Sequence, residues 1–142
     1  MANEHTIVIQ KTFPISMIVA DTPGFNRGTV LTSVDPFTAS GSTAADRAII
    51  AGIAYTEKIA SDGNTQIAVL RGPGDILRAT ASGSIANGDP LAVEGDTANC
   101  LINLSDLAVS GAKRIGFALE TATNGQTFLY ELNIGDHQSF GP

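Results

Sequence analysis

Residues 115–120, Ile-Gly-Phe-Ala-Leu-Glu, and residues 124–127, Asn-Gly-Gln-Thr, form the stretch that decides the fold. Strand-like runs at residues 114–121 and 127–133 flank the Asn-Gly step. An Asn-Gly pair supplies the positive φ angles that a tight β-hairpin turn requires. The sequence therefore predicts an antiparallel hairpin here, with Phe128, Tyr130 and Leu132 sharing one face of its second strand and with Asn124 and Gly125 at its turn.

A second turn precedes another short strand. Residues 88–93 read Gly-Asp-Pro-Leu-Ala-Val, and the proline lies at the start of the strand, where its missing N–H does least harm. We expect Gly116 at a close backbone approach and Gly125 at a positive φ, so Gly125→Val should destabilise the fold more than Gly116→Ala. The predicted structural turn residues are Gly88, Asp89, Pro90, Gly116, Asn124 and Gly125.

The same pattern of glycines occurs twice along the chain. Matching residues lie 60 to 64 positions apart, which predicts an internal duplication and a fold of two interlocked, pseudo-symmetric halves. Chance alignment among fifteen glycines is the open alternative. The predicted repeats are residues 21–75 and 79–136. The matching positions include Gly28 with Gly88, Gly52 with Gly116, Gly63 with Gly125, Gly74 with Gly135, and Glu57 with Glu120.

The composition favours one all-β domain. A chain of 142 residues can bury a core without disulfides or metals. Fifteen glycines and six prolines, with many Thr, Ala, Ile and Val residues, favour short strands and turns over long helices. We predict a compact β-barrel or β-sandwich-like domain with few or no long helices. Only 15% of the residues are charged, which indicates that part of the surface is buried against other chains.

Charge and hydropathy exclude several partners. A net charge of −6 would repel nucleic-acid phosphates, and no apolar run is long enough to span a bilayer. The first five residues lack a basic start and an apolar core, so we expect synthesis and folding in the cytosol without a secretion signal. Cys100 is the single cysteine, and its apolar neighbours indicate a buried, inert thiol.

The chain ends are expected to behave differently from the central domain at residues 21–136. Residues 1–20 contain two β-prone runs, which form either an extended N-terminal arm or the first strands of the domain. We expect residues 33–46 to form a loop and residues 137–142 a tail. If residues 1–14 are an arm, they reach a neighbouring subunit or another surface outside their own subunit; the alternative is a strand packed within its own subunit. The candidate contacts of the arm are Ile7, Val8, Ile9 and Phe13.

Residue patterns that carry chemistry are weak in this chain. The Gly-Pro-Gly-Asp run at residues 72–75 lacks the Lys-Ser/Thr step of a phosphate-binding loop. His5 and His137 have no second ligand at metal-binding spacing. Glu57 and Glu120 could form an acid and base pair across a pseudo-two-fold axis, but solvated surface glutamates are the favoured interpretation. We therefore expect no enzyme activity, no cofactor and no metal.

Several of these motifs together resemble a family of tailed-bacteriophage capsid decoration, or cement, proteins. The resemblance covers roughly residues 46–134 and depends on the Gly-Asp-Ile run at 74–76, the Ile-Ala-Asn-Gly-Asp-Pro-Leu run at 85–91, and the two runs of the predicted hairpin. It implies a β protein that sits as a homotrimer on the capsid exterior, as part of the virion, and stabilises contacts between major capsid protein subunits. No nucleic acid or membrane partner is expected.

Two other functions remain open at this stage. One is a non-enzymatic β-rich module that binds carbohydrate or peptide on a phage or cell-surface appendage. Such a module needs an exposed aromatic platform, and the chain has no Trp and two Tyr residues. The other is an enzyme of unrecognised type, which would show a deep pocket with perturbed carboxylates around Glu57 and Glu120.

Overall fold

The computed structural model of the protein describes residues 3–35, 37–41, 50–94, 97–107 and 113–136. These residues form strands and one short 3-10 helix, so the predicted all-β class is confirmed. The 3-10 helix spans Leu104–Asp106. The strands are β1 (Thr6–Ile9), β2 (Ile15–Ile18), β3 (Val30–Asp35), β4 (Thr38–Gly41), β5 (Ile50–Ala54), β6 (Gln66–Leu70), β7 (Ile76–Thr80), β8 (Pro90–Val93), β9 (Leu101–Asn103), β10 (Lys113–Ala118) and β11 (Thr127–Asp136).

Five strands of the first half close into a barrel. Their order around the barrel is β2-β4-β3-β5-β6, and β6 pairs back with β2. All neighbours are antiparallel except β2 and β4, which are parallel and pair at Ile18 and Thr38.

The second half pairs its strands in the same order. The six-stranded sheet runs β1-β7-β11-β10-β8-β9, so that β7 to β11 repeat the pairing of β2 to β6. The repeat includes the parallel step, because Ala81, directly after β7, forms a parallel bridge with Leu101 of β9. The extra strand is β1, which has no counterpart on the first barrel among the described residues.

The hydrogen bonds of the connecting loops also recur. Gly28 N donates to Ala54 O at 2.8 Å, and Gly88 N donates to Ala118 O at 2.8 Å. Both glycines have φ +91°, a conformation that favours residues without a Cβ. These matched loops and the common strand order are what a duplication would produce. The repeat boundaries at residues 21–75 and 79–136 stay a prediction.

One predicted pair of equivalent residues is displaced by one position. Ala68 N donates to Thr56 Oγ1 at 3.1 Å, whereas Leu129 N donates to Glu120 Oε1 at 2.8 Å. The counterpart of Glu120 is therefore Thr56 and not Glu57. The side chains of Thr56 and Glu120 each accept a hydrogen bond from one backbone amide of a strand, β6 and β11 respectively. These two equivalent residues therefore have the same structural role in the two halves.

Apolar side chains of the barrel and of the six-stranded sheet form two principal clusters. One fills the first barrel, with Met17, Leu31 and Val69 among its members. The other fills the second half and extends onto the first, where neighbouring residues Val30 and Ile53 point away from their own barrel. Strands β3 and β5 are consequently buried on both faces, which explains why they read as continuous apolar runs.

The predicted hairpin exists, but its turn differs from the prediction. Strands β10 and β11 pair antiparallel, and Phe128, Tyr130 and Leu132 are all buried on one face as predicted. Residues 119–126 connect the two strands, so Asn124 and Gly125 do not form a two-residue turn. Gly125 has φ +85°, as predicted, within a loop whose Ala122 bridges Ile85. That bridge satisfies the loop backbone and permits the longer connection.

The other turn predictions have mixed outcomes. Pro90 is the first residue of β8, as predicted. In the turn before it, Gly88 has a positive φ, and Asp89 Oδ2 accepts a hydrogen bond from Ala86 N at 2.8 Å. The loop predicted at 33–46 is partly wrong, because residues 33–35 end β3 and β4 follows at Thr38–Gly41. Residues 36 and 42–46 of that loop, and the tail at 137–142, lie outside the described residues.

Candidate functional site

Exposed apolar side chains are concentrated in the first half of the chain. Among the described residues, the large apolar side chains that are at least one-third exposed include Leu119 in the second half, and all the others precede residue 60. We use the term N-terminal apolar surface for the six of these that lie between residues 8 and 37. They are Val8, Ile9, Phe13, Ile15, Ile18 and Phe37.

A buried carboxylate holds the centre of this segment. Asp75 is fully buried, and its Oδ1 accepts hydrogen bonds from Lys11 N at 2.5 Å and Thr12 N at 2.9 Å. Its Oδ2 accepts from Thr12 Oγ1 at 2.5 Å. Hydrogen bonds to an ionised acceptor are stronger than neutral ones. The next residue, Phe13, is 93% exposed, so its aromatic ring lies at the surface. The hydrogen bonds from Lys11 N and Thr12 N to Asp75 hold the backbone directly before it.

The start of the segment is anchored by a histidine. His5 is buried; its Nδ1 lies 2.6 Å from Tyr130 Oη and its Nε2 lies 2.7 Å from Asn99 O. The backbone N–H of His5 donates to Gly28 O at 2.8 Å. The residue therefore ties the chain to the second half through its ring and to the first half through its backbone.

Burial controls the protonation of this anchor. The imidazole of His5 is removed from water, which lowers its pKa to about 4. Burial also raises the pKa of Tyr130 well above its ordinary value, so its hydroxyl is neutral. The ring of His5 is consequently uncharged near neutral pH and links Tyr130 to the carbonyl of Asn99 as a neutral bridge.

Strand β1 packs within its own chain. It lies antiparallel on β7, with Thr6 opposite Arg78 and Ile7 opposite Leu77. Ile7 is partly buried and packs against the larger apolar cluster, so residues 6–9 are described as a strand of their own subunit. The extended arm and a contact between Ile7 and another chain stay predictions. The position of β1 has two physical causes. The edge of β7 pairs with it, and the side chain of His5 is buried.

The remaining predicted contacts are placed where a partner can reach them. Val8 and Ile9 are about half exposed, and Phe13 is almost wholly exposed. Their contact with another chain stays a prediction. The structure adds Ile15, Ile18 and Phe37, which sequence analysis missed. Ile18 N donates to Phe37 O at 2.6 Å, so these two residues lie side by side at the parallel step between β2 and β4.

No protein-family model and no curated protein matches the chain. The fold is similar to that of a bacteriophage head-fibre base. The solved structure is the N base of head fibre gp8.5 of bacteriophage phi29, with a TM-score of 0.52 and 17% sequence identity. The similarity covers 87% of this chain and 96% of the phi29 chain. At this identity the comparison establishes a common fold, which extends over almost the whole of that head-fibre base.

Other side chains with potential chemistry are not brought together. Glu57 and Glu120 are both exposed, and Glu120 is engaged with the backbone of β11. Neither glutamate lines the clefts beside Phe25, His5 and Asn124. Across the described ranges, no group of three His, Cys, Asp or Glu side chains is arranged to hold a metal ion. His137 and Ser139 lie outside these ranges.

Two further features belong to the description of the surface. Cys100 is buried as predicted, and burial raises the pKa of its thiol. No helix within the part of the chain that the structure describes is long and apolar enough to cross a bilayer.

The sequence offered no signal for Asp75 or His5 as anchors, because each acts through residues more than sixty positions away along the chain.

Proposed function

We propose that the protein is a capsid decoration protein that binds the outer surface of a tailed-phage head and stabilises contacts between major capsid protein subunits. The observation that carries the proposal is the similarity of fold to the phi29 head-fibre base over 87% of this chain. The sequence motifs at residues 74–76, 85–91 and 115–127 support the same class of protein through their resemblance to decoration proteins.

The N-terminal apolar surface gives the proposal a binding element. Fully burying apolar side chains of this size contributes about 1.5 to 3 kcal/mol each. Phe13 is presented on a backbone that Asp75 fixes, so little conformational entropy would be lost when the ring is buried. A pre-arranged aromatic anchor of this kind is typical of the centre of a protein interface.

A homotrimer is part of the proposal, together with a location on the virion exterior and the absence of catalysis. Only 15% of the residues are charged, and half-exposed Val8 and Ile9 are apolar. Contacts between copies would cover such residues. Light scattering on purified protein at micromolar concentration is expected to give three times the mass of 14.6 kDa, and a monomeric mass would contradict the homotrimer.

Cosedimentation with phage heads that lack this protein tests the function. We expect saturable binding with a fixed number of copies per head, and decorated heads should withstand higher temperatures before they rupture. Serum albumin at the same concentration controls for trapping in the pellet. Protein that stays in the supernatant at every concentration would refute the proposed function.

A further inference from the structure

Strand β2 has an edge that no described strand covers. Val19 N donates to Thr65 O on the β6 side, and Ile18 N donates to Phe37 O on the β4 side. Successive residues of a strand direct their N–H and C=O groups to opposite edges. Ser16 therefore directs both groups to the β4 side, together with Ile18.

Strand β4 does not reach Ser16. Its pairing with β2 is confined to Ile18 opposite Thr38. The residues up to Asp35 belong to β3, which pairs with β4 and not with β2. Ser16 is exposed. Among the described residues, the edge of β2 is thus open over one short stretch, directly beside the parallel step.

The same edge is occupied in the second half. Arg78 of β7 lies opposite Leu129 of β11, whose own N–H and C=O are used by Glu120 and Leu119. Arg78 therefore directs its backbone groups away from β11. That edge is where β1 lies, with Thr6 opposite Arg78.

Ser16 and Arg78 are equivalent positions. Ser16 lies opposite Ala68, whose N–H and C=O are used by Thr56 and Tyr55 in the same way as those of Leu129. The molecule consequently has two equivalent strand edges, one filled by β1 and the other empty in the described structure. The chain has one β1, and it is held on β7 by buried His5, so a second copy has no β1 to offer.

Side chains around the open edge define the chemistry of its occupant. Ile15, Ile18 and Phe37 are exposed by 38%, 49% and 64%, and Phe13 lies just before β2. A segment that pairs here meets apolar neighbours, as β1, Thr-Ile-Val-Ile, does on the equivalent edge. Pro14 has no N–H, so the added strand is short.

We propose that the open edge of β2 at Ser16 receives an extended, uncharged and β-branched segment of the major capsid protein as an added strand. This inference rests on the proposed function and specifies how the head is bound. Strand addition satisfies backbone groups on both chains and takes its specificity from the flanking side chains. The added strand would pair with β2 of the barrel as β1 pairs with β7 of the six-stranded sheet.

Binding of two variants to heads that lack this protein tests the backbone contact. Ser16→Pro removes the N–H that the added strand needs, and Ser16→Ala keeps it. Proline is tolerated at an edge where the N–H faces solvent, and the thermal midpoint of each variant checks folding. We expect about tenfold weaker binding for Ser16→Pro and less than twofold for Ser16→Ala.

A second pair of variants tests the flanking side chains. Phe37→Ser should weaken binding to heads, whereas Ile59→Ser should not, because Ile59 is also apolar and 58% exposed but belongs to neither β2 nor β4. Hydrogen exchange of the Ser16 amide in the wild-type protein provides a readout that needs no variant. We expect rapid exchange in the free protein and protection on heads.

The outcomes separate the two proposals. If heads bind the wild-type protein but Ser16 stays unprotected and Ser16→Pro binds normally, strand addition is refuted while the proposed function stands. If heads do not bind the protein at all, both are refuted. Protection of Ser16 in the free protein would assign the edge to another segment of the chain or a second copy, and would overturn the choice of occupant.

Discussion

Gly116 and Gly125 are glycines for different physical reasons. A Cβ on Gly116 would overlap the carbonyl oxygen of Glu131 on the paired strand and lie 3.0 Å from the Tyr130 ring. A Cβ on Gly125 would meet open space, although its φ of +85° is strained for other residues. For alanine at the two positions the structure therefore favours a larger loss at Gly116, because the backbone of β11 cannot move away as a side chain can. The expected loss for Gly125→Val stays a prediction.

We predict that Gly116→Ala lowers the free energy of unfolding by about 2 to 3 kcal/mol through overpacking. Gly125→Ala should lower it by about 1 kcal/mol, the cost of a left-handed backbone conformation. Urea unfolding followed by circular dichroism measures both. A larger loss for Gly125→Ala would contradict the close approach of β10 and β11.

His5 should make the stability depend on pH. Its pKa is about 4 in the folded protein against about 6.5 when unfolded, so between these values the unfolded chain binds the additional proton. Stability then rises with pH across this window and is lost on acidification. Wild-type protein should lose about 2 kcal/mol more than His5→Gln between pH 7.5 and 5. Parallel pH profiles for the two proteins would show that His5 does not titrate as a buried group.

At the scale of elements, the loop between β1 and β2 depends on one carboxylate. Asp75→Ala would leave the amides of Lys11 and Thr12 without their acceptor, at a cost of about 2 to 3 kcal/mol. Hydrogen exchange at these two amides should become faster, while that of β10 stays unchanged. Asp75→Asn keeps one acceptor oxygen and is the matched control. Unaltered exchange in Asp75→Ala would show that the loop is held by other contacts.

Strand β1 is expected to be essential for folding. Deletion of residues 2–9 removes His5 from its niche and uncovers the edge of β7, so we predict an unstable or insoluble product. A deletion of residues 2–3 alone, which leaves His5 in place, is the control. If the protein without residues 2–9 is soluble and keeps its thermal midpoint, residues 2–9 are not needed for folding, as the arm hypothesis requires.

The elements that sequence patterns located are those with local causes. Alternation and the Asn-Gly step located β10 and β11, and the Gly-Asp-Pro run located the start of β8. The parallel pairing of β2 with β4 and the place of β1 on β7 depend on contacts between distant residues, which no local pattern encodes. The longer loop at residues 119–126 escaped prediction for the same reason, since Ile85 supplies its partner.

At the scale of the whole molecule, the repeated glycines indicated two related halves, and the strand order and loop hydrogen bonds of the two halves agree in detail. The candidate site was only partly predictable. Val8, Ile9 and Phe13 were recognised as apolar residues near the terminus. Ile15, Ile18 and Phe37 resemble core residues in the sequence, but all three are exposed in the structure.

Electron cryomicroscopy of heads prepared with and without the protein tests the central claim most directly. The account predicts additional density on the outer surface of decorated heads that fits the two five-stranded halves, with β2 and the N-terminal apolar surface directed toward the capsid shell. Heads that show no additional density after incubation with an excess of folded protein would contradict it.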